Sequence, residues 1–132
     1  MVFGVFDRLH SGHISFLRQA VRLGDQLVVA VARDSIVKEL KKKIPMESED
    51  TRVSRVARVE GVTHAMLGDH ELSSWNVIAM YKPDIICLGY DQQWIKKDIE
   101  DRITKGSLPQ IKILIAHAHE PNTFHSSLLS LT

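Results

Sequence analysis

Short apolar, β-branched runs alternate along the chain with stretches in which apolar residues recur every three or four positions. The runs Val2 to Phe6, Gln26 to Ala32, Thr63 to Leu67, Asp84 to Leu88 and Ile111 to His117 predict five strands. Between the first two, Ile14, Leu17 and Val21 stand at i, i+3 and i+7, which predicts a helix from about Gly12 to a left-handed cap at Gly24. Asp34-Ser35 predicts the start of a short basic helix that runs to Lys43 and is ended by Pro45. Ser48 to Val59 predicts the next, with Val53, Val56 and Ala57 on one face and Gly61 closing it. Ser73 or Ser74 is expected to cap a helix reaching about Tyr81, and Trp94 to Lys105 reads as a charged helix ending at Gly106. Strands and helices in this order build an α/β fold: a small Rossmann-like, open, parallel five-stranded sheet with helices on both faces. Ligands of such sheets lie beyond the carboxyl ends of the strands, where strand order reverses. The loops after Phe6, Ala32 and Leu88 are therefore the places to search.

Composition narrows the class of molecule. With 132 residues, 44% of them hydrophobic and 25% charged, the chain reads as a single domain over 1–132 whose core needs no disulfide or structural metal. Its one cysteine, Cys87, lies in the apolar run Ile85 to Leu88 and is expected as a buried thiol in a reducing compartment, which makes the cytoplasm the expected location. The apolar run Leu27 to Ala32 falls far short of the roughly 20 residues a membrane span requires. No charged-then-apolar leader precedes the first strand, and the chain reads as a minimal catalytic unit. A formal net charge of +1 gives no reason to expect long nucleic acid as a partner, so any anion site must be local.

The loop after the first strand carries the strongest local signal. Gly4-Val5-Phe6-Asp7-Arg8-Leu9-His10-Ser11-Gly12-His13 combines a strand end, a helix start with unpaired N–H groups, and two imidazoles three positions apart. Helix-start amides and ring N–H donors suit an anion, and Gly12 lets the backbone approach it. Read in isolation, the two histidines could equally be polar residues at a helix start. No cysteine or carboxylate set accompanies them, which argues against zinc.

Taken together, Gly4, Phe6, Asp7, His10, Gly12 and His13 resemble the GxFDxxHxGH pattern of the cytidylyltransferase-like nucleotidyltransferases. Val31-Ala32-Arg33-Asp34 is similar to the family's second strand end, Asp50-Thr51-Arg52 to its E-x-R element, and Ile86 to Gln92 to its fourth-strand loop, in the form found in archaeal-type FAD synthetases. The resemblance covers nearly the whole chain. It implies transfer of a nucleoside monophosphate from an NTP to a phosphorylated acceptor, with pyrophosphate leaving and no covalent enzyme intermediate. His10 and His13 would be the catalytic donors to the phosphates, assisted by the amides near Gly12, and a divalent ion, Mg²⁺, would accompany the triphosphate. Asp7 would orient the site or shape its loop. Lys41 and Lys43 would close over the phosphates, Arg52 would clamp one of them bidentately, and Gly89, Tyr90 and Asp91 would meet the base and ribose. Ser126 and Ser127 would receive phosphate oxygens.

The chain departs from the family near its C-terminus, where Glu120-Pro121-Asn122-Thr123 stands in place of an expected basic residue. His125 could substitute. Trp94 is either core or a platform for a ligand, and His117 and His119 are expected to be structural. Two acceptor chemistries follow from the resemblance: FMN with ATP, favoured by the Val31 to Asp34 and Ile86 to Gln92 stretches, and glycerol 3-phosphate or a sugar phosphate with CTP. A nucleotide-binding module without turnover is the reading from a different class. A homodimer is a family-level expectation.

Overall fold

The structure, a computed structural model, describes residues 1–117. Strands and helices follow one another as β1 (Val2–Gly4), α1 (Ser11–Val21), β2 (Val28–Val31), α2 (Asp34–Lys41), α3 (Glu49–Ala57), β3 (His64–Leu67), α4 (Asn76–Tyr81), β4 (Ile85–Leu88), α5 (Gln93–Thr104) and β5 (Lys112–Ile115). All pairings are parallel, with Gly4 opposite Val31, Val31 opposite Leu67, and Leu88 opposite Ile115. The expected single five-stranded sheet is corrected in one respect: the strands form a three-stranded ladder, β1-β2-β3, and a two-stranded ladder, β4-β5.

The reason lies between β1 and β4. The Met1 nitrogen donates to the Ile85 carbonyl at 2.9 Å and the Met1 carbonyl accepts from Cys87 N–H at 3.0 Å. Further along, a side chain takes the place of the next rung. Gln92 donates from Nε2 to the Phe3 carbonyl at 3.0 Å and accepts the Gly89 N–H on Oε1 at 2.8 Å. Gln92 is 1% exposed, so its amide satisfies two buried main-chain groups that would otherwise have no partner.

Period-two alternation along the strands sorts the apolar side chains into two cores. Val2, Val29, Val31 and Cys87 pack with Phe16, Leu17 and Ala20 of α1 and Val56 of α3. Met1, Phe3, Ala30, Ile86 and Leu88 pack with Val77 and Ile78 of α4 and Ile95 and Ile99 of α5. Helices thus cover both faces, as the pattern predicts. Cys87 is buried, and burial pushes its thiol above the usual range.

Several element ends differ from expectation. Helix α1 stops at Val21 with Arg22 in a right-handed conformation, and Gly24 takes no left-handed cap. Gly61 and Gly106 do adopt positive φ, at 94° and 82°. Arg33, not Asp34 or Ser35, precedes α2 and gives no side-chain cap; the Asp34 N–H is met by Glu49. Ser73 and Ser74 do not cap α4, because Asp69 accepts the Asn76 and Val77 amides. Ser48 caps α3 as expected, accepting from Thr51 N–H.

Gln92→Leu removes both halves of the bridge between the ladders while keeping the residue's bulk. It is expected to lower unfolding free energy by about 2 kcal/mol in a denaturant titration, the cost of leaving a buried carbonyl and a buried amide unmatched. A midpoint equal to that of the parent protein would show that the ladders hold together without it.

Candidate active site

The β1-α1 loop is turned by backbone geometry rather than by glycine. Phe6 and Arg8 both adopt positive φ, at 55° and 53°. This throws the Phe6 ring back into the core, where it is fully buried, 5.5 Å from the His13 ring and 6.4 Å from Phe16 by centroids. A Cβ on Gly4 would stand 2.7 Å from the Phe6 ring. Gly4 is therefore needed for this aromatic packing, and Phe6 backs the imidazoles from within the core.

His10 and His13 form the cap of helix α1. His10 Nδ1 accepts the Gly12 N–H at 3.0 Å, and His13 Nδ1 accepts the His10 N–H at 3.2 Å, a capping box built from two imidazoles. Their rings stack at 4.1 Å between centroids. An imidazole that accepts through Nδ1 holds its single proton, when neutral, on Nε2. Both rings are thereby fixed as Nε2–H donors at a helix N-terminus, where the macrodipole favours negative charge.

Arg52 has a different place from the one expected. It is fully buried, donating from Nη1 to the Val5 and Ala32 carbonyls at 2.9 and 2.7 Å, from Nε to the Glu47 carbonyl at 3.1 Å, and from Nη2 to Asp34 Oδ1 at 2.6 Å. The planar fork that would suit a phosphate is occupied by main-chain carbonyls and a carboxylate, so the expected bidentate clamp is corrected to a tie between the ends of β1 and β2. Asp34 and Glu49 reinforce it by accepting each other's main-chain N–H, at 2.8 and 3.3 Å. Asp7 is loop-shaping: its two oxygens accept the Met46 and Glu47 amides at 2.8 and 2.9 Å, and Glu47 in turn accepts the Arg8 N–H. The α2-α3 loop is thus fastened across the histidine loop.

Two cavities open beyond the strand ends. One, of about 840 Å³, is lined by His10, Arg8, Lys43 and Asp7. The other, of about 400 Å³, lies over the ends of β1, β2 and β3 and is walled by Trp75, Trp94, Leu72 and Leu40, with Gly4 at its edge. Lys41 and Val5 line both. Burial holds Lys41 below its ordinary pKa, with Lys43 adding to the effect and Asp91 and Asp7 opposing it. Asp91 lines the second cavity, and neither of its buried carboxylate oxygens has a hydrogen-bond partner among the described residues. Burial raises its carboxyl above the usual range, against the pull of its own N–H and of Lys41.

Of the other expected site residues, Gly12 is buried in the first turn of α1 and Gly89 is held by Gln92. Tyr90 packs against the α1 and α3 core and Asp91 faces the cavity, so this stretch divides between two sides. Ser126, Ser127, His125 and His119 lie outside the described residues. His117 exchanges main-chain hydrogen bonds with the Gln19 side chain. Sequence reasoning did not foresee the roles of Asp34, which meets Arg52, Gln92, which meets Phe3, or Trp75, which meets Asp98, because these partners stand 18, 89 and 23 positions away along the chain.

A family model described as cytidylyltransferase-like matches residues 1–129. The chain is 46% identical over 114 residues to an FAD synthase of Aciduliprofundum boonei, covering 86% of this chain and 74% of that protein. It is 36% identical over 124 residues to an FAD synthase of Thermococcus sibiricus, covering 94% and 84%. A crystal structure of a lipopolysaccharide core biosynthesis protein from Thermoplasma volcanium superimposes with a TM-score of 0.82 at 39% identity, covering 91% of this chain and 96% of that one.

Two measurements check this geometry. Arg52→Lys keeps a cation but loses the fork, and is expected to cost about 3 kcal/mol of stability, the low end for a broken buried pair because Asp34 is 40% exposed; a loss under about 0.5 kcal/mol would refute the tie. Asp91 has a raised pKa in the folded state, so its contribution to stability is full below about pH 4 and is lost as pH rises through the folded value. Asp91→Asn should therefore melt at or below the parent's temperature in acid and above it at pH 7, by under about 1 kcal/mol because the group is only half-buried.

Proposed function

Because the chain belongs to the cytidylyltransferase-like family, we infer that it is an FMN adenylyltransferase, which joins ATP and FMN into FAD and releases pyrophosphate. The observation that carries this reading is the identity with FAD synthases over most of both chains, met in the structure by a helix start capped with two imidazole donors. The relatives favour ATP and FMN over CTP with glycerol 3-phosphate or a sugar phosphate. The histidine cap speaks against a module without turnover.

In this reading the FMN phosphate oxygen attacks the α-phosphorus of ATP, the bond to the β-phosphate breaks, and pyrophosphate leaves with its electron pair. The phosphates lie at the start of α1, beside the His10 ring that lines the cavity of about 840 Å³ and the first-turn amides near Gly12, where charge developing on phosphoryl oxygens meets fixed donors; His13, fully buried, acts from behind by accepting the His10 N–H. Lys43 and Lys41 supply mobile positive charge from the α2 end. Arg52 acts at one remove, by tying the β1 and β2 ends together. Among the described residues no three carboxylate, imidazole or thiolate groups come together, and both Asp7 oxygens already accept backbone amides. A divalent ion, when bound, would be held mainly by the triphosphate itself and would supply charge neutralisation there. Among the described residues no helix is long and apolar enough to cross a membrane. The buried thiol of Cys87 supports a cytoplasmic setting.

His10→Asn separates capping from catalysis, since an asparagine oxygen caps a helix but brings no ring N–H. It is expected to melt within a few degrees of the parent and to release pyrophosphate from ATP and FMN about 100-fold more slowly. His13→Ala should lose activity to a similar degree. Unchanged pyrophosphate release in both variants would sink the mechanism, and an acceptor panel of FMN, glycerol 3-phosphate and sugar 1-phosphates with ATP or CTP tests the substrates.

A further inference from the structure

Helices α1 and α3 cover the same face of the sheet, and an open groove of about 610 Å³ lies between them. Its floor is aliphatic, made by Ile14 and Val21 of α1 and by Val59 just beyond α3, each half-buried. Its rim is cationic. Arg18 and Arg22 stand along α1 and at its end, Arg55 and Arg58 along α3 and at its end, all four exposed, and Glu60 is the one carboxylate among the residues that line the groove. Arg55 is paired with Glu47 at 2.7 Å, whereas Arg18, Arg22 and Arg58 make no ion pair among the described residues.

A cation in the last turn of a helix offsets the negative end of its macrodipole, and Arg18 and Arg55 stand in such turns. That accounts neither for arginine pairs facing each other across an aliphatic floor nor for the choice of residue. The chain balances 17 Lys and Arg against 16 Asp and Glu, yet the groove takes four of its eight arginines and none of its lysines. Helix α1 carries no acidic residue at all. A guanidinium is weakly hydrated and meets a carboxylate through two parallel hydrogen bonds, which makes arginine the cation suited to an interface. The end of the groove is shaped by Gly61, at φ 94°, where a Cβ would stand 2.8 Å from Val21. The turn after α3 therefore closes onto α1 only with glycine at that position.

We propose that this groove docks an acidic amphipathic helix of a separate protein partner, its aliphatic stripe on Ile14, Val21 and Val59 and its flanking carboxylates on the two arginine pairs. The inference is independent of the FMN reading. Arg18 and Arg22 are four residues apart and Arg55 and Arg58 three, a separation of about 4.5 to 6 Å along a helix axis, so carboxylates one turn apart on the partner meet both members of a pair. An apolar stripe laid in a groove contributes burial that charge pairing alone does not. A nucleic acid would use the arginines and leave the floor unused, because no aromatic side chain lines the groove for a base to stack on. Residues 118–132 of the chain carry a single acidic side chain, Glu120, so the complement is not supplied from there.

The probe is a fluorescein-labelled synthetic peptide of about four helical turns, with leucine at i, i+3, i+4 and i+7 and glutamate on both flanks, titrated into the full chain and followed by anisotropy. It is expected to bind saturably, about tenfold more tightly than a scrambled peptide of the same composition, and more weakly as salt is raised. Arg18→Ala combined with Arg58→Ala should weaken it about tenfold, and Val59→Ser about threefold, while both proteins melt within a few degrees of the parent. Absence of saturable binding, equal binding of the scrambled peptide, or unchanged affinity in the double variant overturns the proposal. So does a single-stranded oligouridylate that binds as tightly as the peptide, which would make the groove a nucleic-acid site. An oligomer that sediments as monomer in the double variant would assign the groove to a second copy of the chain and overturn it equally.

Discussion

The Arg52 guanidinium is the point on which the site depends. It is a fully buried cation that joins the Val5 carbonyl at the end of β1, the Ala32 carbonyl at the end of β2, the Glu47 carbonyl in the α2-α3 loop, and Asp34 at the start of α2. Burying a charge is costly unless its donors are matched, and here Nε and both terminal nitrogens each meet an acceptor. Beyond the last rungs of the β1-β2 ladder the two chains would otherwise leave carbonyls unpaired at the floor of a cleft. Arginine satisfies them from the side and leaves the space above the strand ends open for a ligand.

Gln92 performs the corresponding task on the other side of β1. Its side-chain amide substitutes for a main-chain rung between Phe3 and Gly89, so the three-stranded and two-stranded ladders meet without closing into one. Both devices lie on the carboxyl side of the strands. Together they allow the sheet to open where the histidine-capped helix begins on one side and the tryptophan-walled cavity lies on the other. Val5 and Lys41 border both cavities, so the two adjoin at the ends of β1 and α2.

Capping interactions recur as the means by which distant segments are positioned. His10 and His13 cap α1 and in doing so fix their own tautomers. Asp34 and Glu49 lock the starts of α2 and α3 together. Asp7 receives the amides of the loop that brings Lys43 to the wall of the histidine cavity. Each serves local main-chain satisfaction and site geometry at once.

Much was legible in the chain itself. Five strands, five helices, the parallel α/β class, burial of Cys87 and the glycine-linked histidine pair follow from period, β-branched runs and turn residues, because these express contacts within a few positions along the backbone. Tertiary structure decided the rest. Arg52 looks like a phosphate clamp in sequence, since nothing local shows that three carbonyls from separate segments converge on it. Gly4 and Phe6 are two positions of one pattern in sequence, and only the positive φ at Phe6, which turns its ring inward against the glycine, shows why they go together. The division of the sheet hangs on one glutamine amide reaching Phe3, 89 positions away along the chain. Asp91 acquires its unmatched oxygens, and Trp75 its strained backbone, only when strand ends far apart in sequence are brought over a common cavity. Local pattern sets which elements form; long-range satisfaction of buried polar groups sets how the site opens between them.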